Sequence, residues 1–178
     1  MIIDIGVPSI LVLAGISGAG KSTFAQRMFA PTEVLSSDYC RALVGDDPNN
    51  QSLTSDAFSL LMKLARLRLK NRRLCVIDAT NTSPQERGKF VRLANEFESP
   101  VGAIVFRVPL ALCLERLRSR GNRDITEAAV LEQHRALTAY LPSLRLEGFA
   151  PVWDMDSELL MPGAAQVRRI LSARSHAL

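Results

Sequence analysis

The sequence Ile10-Leu-Val-Leu-Ala-Gly-Ile-Ser-Gly-Ala-Gly-Lys-Ser-Thr23 joins a run of five apolar residues to a glycine-rich turn. The apolar run predicts a buried strand, and the turn that follows it fits the spacing G-x-x-x-x-G-K-[ST]. In such a turn, backbone N–H groups surround a polyphosphate, Lys21 reaches its β and γ phosphates, and the Ser22 hydroxyl can bind Mg²⁺. Residues 21–29 then predict a helix whose N-terminus faces the anion. We therefore predict a P-loop nucleotide site at Gly15, Ser17, Gly18, Ala19, Gly20, Lys21, Ser22 and Thr23.

Outside this motif, short apolar runs alternate with segments of helical periodicity. The apolar runs predict four further strands at 33–36, 74–78, 101–107 and 151–155. A helical pattern covers 56–70, Pro84 and Pro109 stand where helices can begin, and 164–173 predicts a closing helix. Such alternation predicts an α/β fold of the P-loop kinase type, with a parallel sheet of about five strands flanked by helices on both faces. Ligands then bind at the carboxyl ends of the strands, and the irregular stretch 45–52 is expected to border the site.

The composition limits the domain number and the location. At 178 residues, of which 47% are hydrophobic, the chain can bury one full core, so we predict a single domain over 1–178. Its apolar runs are shorter than a membrane span, and residues 1–5 lack the basic start of a signal peptide. We therefore expect a soluble cytoplasmic protein with no membrane partner. The net charge of +4 permits a polyanionic partner without indicating one.

Asp38 directly follows the second predicted strand, which places it at the same sheet edge as the P-loop. A carboxylate there can orient an acceptor hydroxyl and take its proton during phosphoryl transfer. Arg41, one helical turn further on, can hold an acidic group of the acceptor. The residues alone also allow plainer roles, since Asp38 can cap the next helix and the two side chains can form a simple ion pair.

Asp78 ends the third predicted strand, in the sequence Val76-Ile-Asp-Ala-Thr-Asn81. In a P-loop protein, a carboxylate that follows an apolar strand can orient Mg²⁺, either directly or through water. We predict this metal role for Asp78 together with Ser22. The alternative is an aspartate that only stabilises a turn.

Arginines dominate the segment that follows the fourth predicted strand. Arg116 and Arg120 share one predicted helix face, and Gly121-Asn122 should end that helix before Arg123. We predict a helical lid around residues 116–126 that closes over ATP and brings these cations to the transferring phosphate. A solvated basic face is the alternative. We give that plainer interpretation to the basic run 63–73, because its interleaved leucines indicate an amphipathic helix.

Four segments together resemble the kinase module of bacterial polynucleotide kinase/phosphatase enzymes, an end-healing group. They are the P-loop segment 15–25, the segment 33–41 with Ser36-Ser-Asp-Tyr-Cys-Arg41, the pair Asp46-Asp47 with Gln51, and the segment 76–81. The resemblance runs from the first strand to about Pro151, and the three lid arginines stand where that family carries its own. A P-loop alone would indicate only a kinase, whereas segments 36–41 and 78–81 make the resemblance specific to this group.

The resemblance implies transfer of the γ-phosphate of ATP, with Mg²⁺, to the 5′-hydroxyl end of single-stranded DNA or RNA during DNA or RNA repair. Asp38 would be the general base, and Lys21 and Ser22 would hold phosphate and metal. Arg41 and Gln51 would engage the acceptor strand. The nucleotide side would be served by Arg116, Arg120 and Arg123. The catalytic residues would then be Lys21, Asp38, Arg41 and Arg116.

Other functions remain open on the sequence alone. The full enzymes of that family join this module to phosphatase and ligase domains, so the chain would be an excised module or a stand-alone kinase. A kinase of a small metabolite or a nucleotide sugar would keep Lys21, Ser22 and a base near Asp38, and it predicts a closed acceptor pocket. A P-loop switch module that hydrolyses NTP slowly is a third possibility, although the guanine-specific N-K-x-D sequence is absent.

Overall fold

A parallel sheet of five strands lies at the centre of the computed structural model, which describes residues 1–119 and 125–171. The strands of the chain are β1 (Ile2–Val7), β2 (Ile10–Ala14), β3 (Val34–Ser36), β4 (Cys75–Asp78), β5 (Val101–Phe106), β6 (Val152–Met155) and β7 (Gln166–Leu171). The helices are α1 (Lys21–Met28), α2 (Ser37–Gly45), α3 (Thr54–Lys70), α4 (Pro84–Glu96), α5 (Leu110–Ser119) and α6 (Glu127–Tyr140). The central sheet has the order β3-β4-β2-β5-β6, and β1 pairs with β7 in a separate two-stranded sheet.

Strand β2 is buried on both sides, because its side chains alternate between two apolar cores. Leu11 and Leu13 belong to one core, which α1, α5 and α6 cover. Ile10 and Val12 belong to the other, which α2, α3 and α4 cover. This arrangement confirms the predicted α/β fold with a five-stranded parallel sheet between two layers of helices.

The last described segment corrects one prediction. We expected a helix over 164–173, but Gln166–Leu171 is a strand that pairs in parallel with Ile2–Val7. Two nitrogens of Arg168 also donate to the carboxylate of Asp4, each at 2.7 Å. The helical pattern is a weak local preference, and pairing with a distant β-branched strand overrides it. Residues 172–173 of the expected helix lie outside the described residues.

The parallel arrangement brings the carboxyl ends of β2, β3 and β4 to one edge of the sheet. The P-loop follows β2, Ser37 and Asp38 follow β3, and residues 79–83 lead from β4 into α4. Three segments that are far apart in sequence therefore meet at one place.

The longest helix in the described part of the chain is α3, with 17 residues. Within the described ranges, no helix combines the length and the apolar character that crossing a membrane requires.

Candidate active site

A cavity of about 350 Å³ opens at the carboxyl ends of β2, β3 and β4. Its walls come from the P-loop, the first turns of α2 and α3, the segment after β4, and α6. Gly15 and Ala19 belong to the P-loop but are buried and do not line the cavity. The residues predicted from the sequence that do line it are Ser17, Gly18, Gly20, Lys21, Ser22, Thr23, Asp38, Arg41, Gln51 and Asp78.

Gly18 shows why the loop needs glycine. Its φ angle is +82°, and a Cβ atom at this position would lie 2.5 Å from the main-chain oxygen of Cys113 in α5. Gly20, with a φ of +90°, turns the chain into α1. The first three residues of α1 line the cavity, so the positive end of the helix dipole faces it.

Lys21 is held by the loop that it follows. Its side chain is largely buried, and its ammonium donates to the carbonyl oxygens of Gly15 and Ile16, at 2.9 Å each. The backbone N–H of Gly15 donates in turn to the carbonyl of Thr80 at 2.9 Å. The P-loop is thereby fixed to the segment that follows β4.

Asp38 and Arg41 form an ion pair in the cavity wall, in which Nη2 of Arg41 donates to Oδ1 of Asp38. The Nε atom of Arg41 donates to the carbonyl of Pro48 at 2.9 Å, which anchors the guanidinium. Helix α2 is capped by Ser36, whose hydroxyl accepts a hydrogen bond from the N–H of Tyr39 at 3.3 Å, so Asp38 is not the cap. The Asp38 side chain is 37% exposed and that of Arg41 only 8%. The ion pair exists, and its carboxylate is accessible from the cavity.

Ser22 and Asp78 bring oxygen ligands to the same cavity. Asp78 ends β4 and is 5% exposed, while Ser22 is the second residue of α1. Hydroxyl and carboxylate oxygens suit Mg²⁺, which needs only one or two carboxylates when substrate phosphates and water complete its shell. The residues therefore fit a Mg²⁺ site. Among the described residues, no group of three or more His, Cys, Asp or Glu side chains forms a denser metal centre.

Gln51 begins a short 3₁₀ turn, Gln51–Leu53, directly before α3. Its Nε2 atom donates to the carbonyl of Asn49 at 3.2 Å, and the hydroxyl of Thr54 donates to its backbone carbonyl at 2.8 Å. The stretch 45–52 therefore reaches the cavity through Gln51, and it also supplies the Pro48 carbonyl that anchors Arg41.

Arg116, on α5, borders a second cavity of about 300 Å³ instead of the first. Its Nη1 atom donates to the carbonyl of Gly18 at 3.4 Å. Gly20 and Thr23 line both cavities, so Arg116 approaches the P-loop from the α5 side. Arg120 and Arg123 lie outside the described residues, as do the other residues of 120–124 in the middle of the predicted lid. The end of that segment contributes Ile125 and Thr126 to the first cavity.

A buried network that the sequence did not reveal supports the segment after β4. Arg87 is fully buried, and its Nε and Nη2 atoms donate to the carboxylate of Glu147 at 2.9 and 2.7 Å. Burial alone would raise the pKa of Glu147, but hydrogen bonds from Arg87 and Ser143 outweigh it and hold the pKa below its ordinary value. The Nη1 atom of Arg87 donates to the carbonyl of Asn81 at 2.9 Å, and Nδ2 of Asn81 donates to the carbonyl of Leu13 at 2.8 Å. The network thus ties this segment to β2.

Several other lining residues also escaped the sequence analysis. Thr80 and Thr82 follow β4 immediately, so their position after a strand was a usable signal. Phe58 lies one turn into α3 and Gln133 in the middle of α6, and Oε1 of Gln133 accepts from the N–H of Ser17 at 2.9 Å. Which face of a helix meets the cavity depends on tertiary packing, and local sequence does not carry that information.

Solved structures similar to this chain share its fold. A chain of the Pnkp1/Rnl/Hen1 RNA repair complex is 24% identical with a TM-score of 0.67, and the match covers 79% of this chain and 47% of that chain. Kti12 of Chaetomium thermophilum, solved with ADP-AlF3, is 14% identical with a TM-score of 0.62, over 84% and 89% of the two chains. A sugar kinase of Janibacter sp. HTCC2649 is 16% identical with a TM-score of 0.53, over 83% and 84%. The likenesses show the P-loop kinase fold, and this chain spans about half the length of the matched repair-complex chain.

No curated protein sequence matches the chain significantly. The AAA domain family matches residues 10–142, which run from β2 to just beyond α6. This range is most of the chain, and it contains the P-loop, Asp38, Asp78 and Arg116. The chain therefore belongs to the AAA domain family, and its fold is that of the P-loop kinases.

Proposed function

We propose that this protein is an ATP-dependent polynucleotide 5′-hydroxyl kinase, which transfers the γ-phosphate of ATP to the 5′-hydroxyl end of DNA or RNA. Family and fold support a kinase-type phosphotransferase. The observation that carries the proposal is that Lys21 and the Asp38–Arg41 pair line one cavity. Phosphoryl transfer needs a phosphate-binding cation and an acceptor-side base within reach of each other.

Asp38 would act as the general base toward the acceptor. As the hydroxyl oxygen attacks the γ-phosphorus, its proton passes to the carboxylate of Asp38, and the bond between the γ-phosphorus and the departing ADP oxygen breaks. Arg41, anchored on the Pro48 carbonyl, would keep that carboxylate oriented and bind a phosphate of the acceptor strand. Gln51, exposed before α3, would also contact the strand.

Lys21 and the N-terminus of α1 would bind the β and γ phosphates. The Lys21 ammonium donates to two neutral carbonyls, and the charged oxygens of a polyphosphate would be stronger acceptors. Mg²⁺ held by Ser22 and Asp78 would add positive charge beside the transferring phosphate. Arg116 would assist from the α5 side, with Arg120 and Arg123 in the lid.

The second cavity would take the nucleoside of ATP. It meets the P-loop at Gly20 and Thr23, and the apolar side chains of Leu160 and Met161 lie beside Arg116 in its wall. A base could pack on these side chains while its phosphates reach Lys21. The two cavities would then separate the donor nucleoside from the acceptor.

A polynucleotide acceptor is supported by the resemblance of segments 36–41 and 78–81 to bacterial end-healing kinases. The similar chain in the Pnkp1/Rnl/Hen1 complex belongs to an RNA repair assembly, which agrees with an end-healing role. If the chain is an excised module, phosphatase and ligase modules would be its partners. A kinase of a small metabolite or nucleotide sugar is the alternative, and it is favoured by a cavity of only about 350 Å³ and by the likeness to a sugar kinase.

Transfer of labelled γ-phosphate from ATP tests the proposal. With Mg²⁺ and a single-stranded oligonucleotide that ends in a 5′-hydroxyl, we expect label on the oligonucleotide and none on a matched 5′-phosphate control. Label on sugars or nucleotide sugars, with none on the oligonucleotide, would support the alternative. ATP hydrolysis with no label on any of the acceptors offered would indicate a switch module and would contradict both kinase functions.

A further inference from the structure

Phe58 is the only aromatic residue among the described residues that line the active-site cavity. It lies four residues after Thr54 on α3, so the two side chains share the helix face that borders the cavity. Gln51, in the turn before α3, extends the same wall. An acceptor that approaches Asp38 along this wall therefore meets an aromatic ring.

A lysine ammonium forms a cation–π contact with this ring. The Nζ atom of Lys89, on α4, lies 4.1 Å from the centroid of Phe58. Lys89 is half-buried, and this burial lowers its pKa, with a smaller lowering from Arg92 one helical turn later and an opposing effect from Glu86. Glu86, one turn earlier, caps α4, since its carboxylate accepts from the N–H of Ser83 at 3.0 Å. Helix α4 thus presents Glu86 to the cavity and carries two cations, Lys89 and Arg92, in the turns that follow.

From this arrangement we propose that Phe58 packs against the terminal nucleoside of the acceptor strand and that Lys89 binds a phosphate of its backbone. The inference rests on the proposed polynucleotide kinase function and adds two residues that lie outside its motifs. Every base offers an aromatic face, so stacking on Phe58 accepts any terminal base. A lysine ammonium is a point charge that tolerates varied phosphate geometry. The pair therefore binds strands with little regard to sequence.

Steady-state transfer to a 5′-hydroxyl oligonucleotide tests the pair in the full chain. Phe58→Leu should raise KM for the oligonucleotide about tenfold, as expected for loss of one base–aromatic contact, and leave KM for ATP unchanged. Phe58→Tyr keeps the ring and should keep KM. Lys89→Gln should reduce the slope of log KM against log salt concentration by about 0.7, the share of one phosphate contact on a single strand.

A second cation–aromatic pair provides the matched control. The Arg66 guanidinium carbon lies 5.7 Å from the centroid of Phe97, and this pair also joins α3 to the end of α4 but does not line the cavity. Phe97→Leu and Arg66→Gln should leave KM and the salt slope unchanged.

The outcomes separate this inference from the proposed function. If the parent labels the oligonucleotide but Phe58→Leu and Lys89→Gln behave like the control variants, the inference is wrong and the kinase function stands. If the parent labels no 5′-hydroxyl oligonucleotide, both are wrong. Should Phe58→Leu fail to fold, the salt slope of Lys89→Gln decides alone, because Lys89 is only half-buried and its loss leaves no core cavity.

Discussion

Removing the charge of Glu147 should destabilise the protein strongly, because its partner is buried. The side chain of Arg87 is 0% exposed and that of Glu147 13%, so Glu147→Gln leaves a guanidinium in the interior without a counter-ion. Breaking a buried pair from one side costs about 3–5 kcal/mol. Glutamine keeps the size and one acceptor oxygen, so we expect the lower end of that range, about 3 kcal/mol.

Urea unfolding followed by the fluorescence of Trp153, the single tryptophan, measures this loss. Glu96→Gln is the matched control, because Glu96 pairs with Arg66 at 2.6 Å and both side chains are about half exposed. Exposed pairs contribute about 0–1 kcal/mol, so burial alone should separate the two variants. The double variant Arg87→Met with Glu147→Leu removes both buried charges, so it should be more stable than Glu147→Gln. It should still be less stable than the parent, because the Asn81 carbonyl then lacks its donor, which costs about 1–3 kcal/mol.

The pH dependence gives a second measurement of the same pair. The pKa of Glu147 in the folded protein lies below its ordinary value of 4.5, so the pair contributes its full stability above that pH. The contribution is lost as the pH falls through the folded pKa. The stability gap between parent and Glu147→Gln should therefore be constant near neutral pH and shrink in acid. Equal losses for Glu147→Gln and Glu96→Gln, or a gap that persists in acid, would refute this account of the pair.

Three further predictions concern the cavity. Asp38→Asn should lower kcat for labelled transfer about 10²–10⁴-fold and leave the equilibrium binding of ATP unchanged. An unchanged kcat would show that Asp38 is not the general base. Lys21→Met should lower transfer by at least about 10²-fold while the circular dichroism spectrum stays that of the parent, and normal transfer would contradict its phosphate role. Gly18→Ala should abolish ATP binding in a titration, whereas Gly163→Ala, with a similar φ of +81° but nothing within 4 Å of the added Cβ, should leave it intact. Equal ATP affinity in the two glycine variants would show that the clash with Cys113 does not matter.

Local signals made much of the P-loop side of the cavity predictable. A fully buried strand is a continuous apolar run in the sequence, as in β2. The P-loop requires glycine where φ is positive, as at Gly18, so its sequence is also recognisable. Asp38 comes just after β3 and Asp78 ends β4, and parallel strands end at one edge of the sheet, so the pattern also predicted that the two share a cavity. The ion pair of Asp38 with Arg41 was one of the plainer alternatives, because residues three apart on a helix are neighbours.

Long-range contacts set the limit of prediction. Arg87 and Glu147 lie 60 positions apart, and neither belongs to a motif. Strand β7 needs β1 at the other end of the chain, and without that partner its residues predicted a helix. Phe58 sits among leucines of an amphipathic helix, and only the packing of α3 beside α2 and α4 brings its ring to the cavity. In each case the determining contact joins residues that the local pattern treats as unrelated.

The P-loop side and the Asp38 side of the cavity are built differently. The segment after β4 is held at three points: Thr80 accepts from Gly15 at 2.9 Å, Asn81 donates to Leu13 at 2.8 Å, and Arg87 donates to Asn81 at 2.9 Å. The first is a bond between main-chain atoms, and the other two are buried. Because these bonds join the residues just after Asp78 to β2 and to the start of the P-loop, they fix Asp78 relative to Lys21. Asp38 is 37% exposed, and its carboxylate accepts from Arg41, which the Pro48 carbonyl anchors, and from the Ser37 hydroxyl at 3.5 Å. Under the proposed function, the rigid P-loop side would hold the nucleotide donor, which does not vary, and the more open Asp38 side would receive the end of a strand that does.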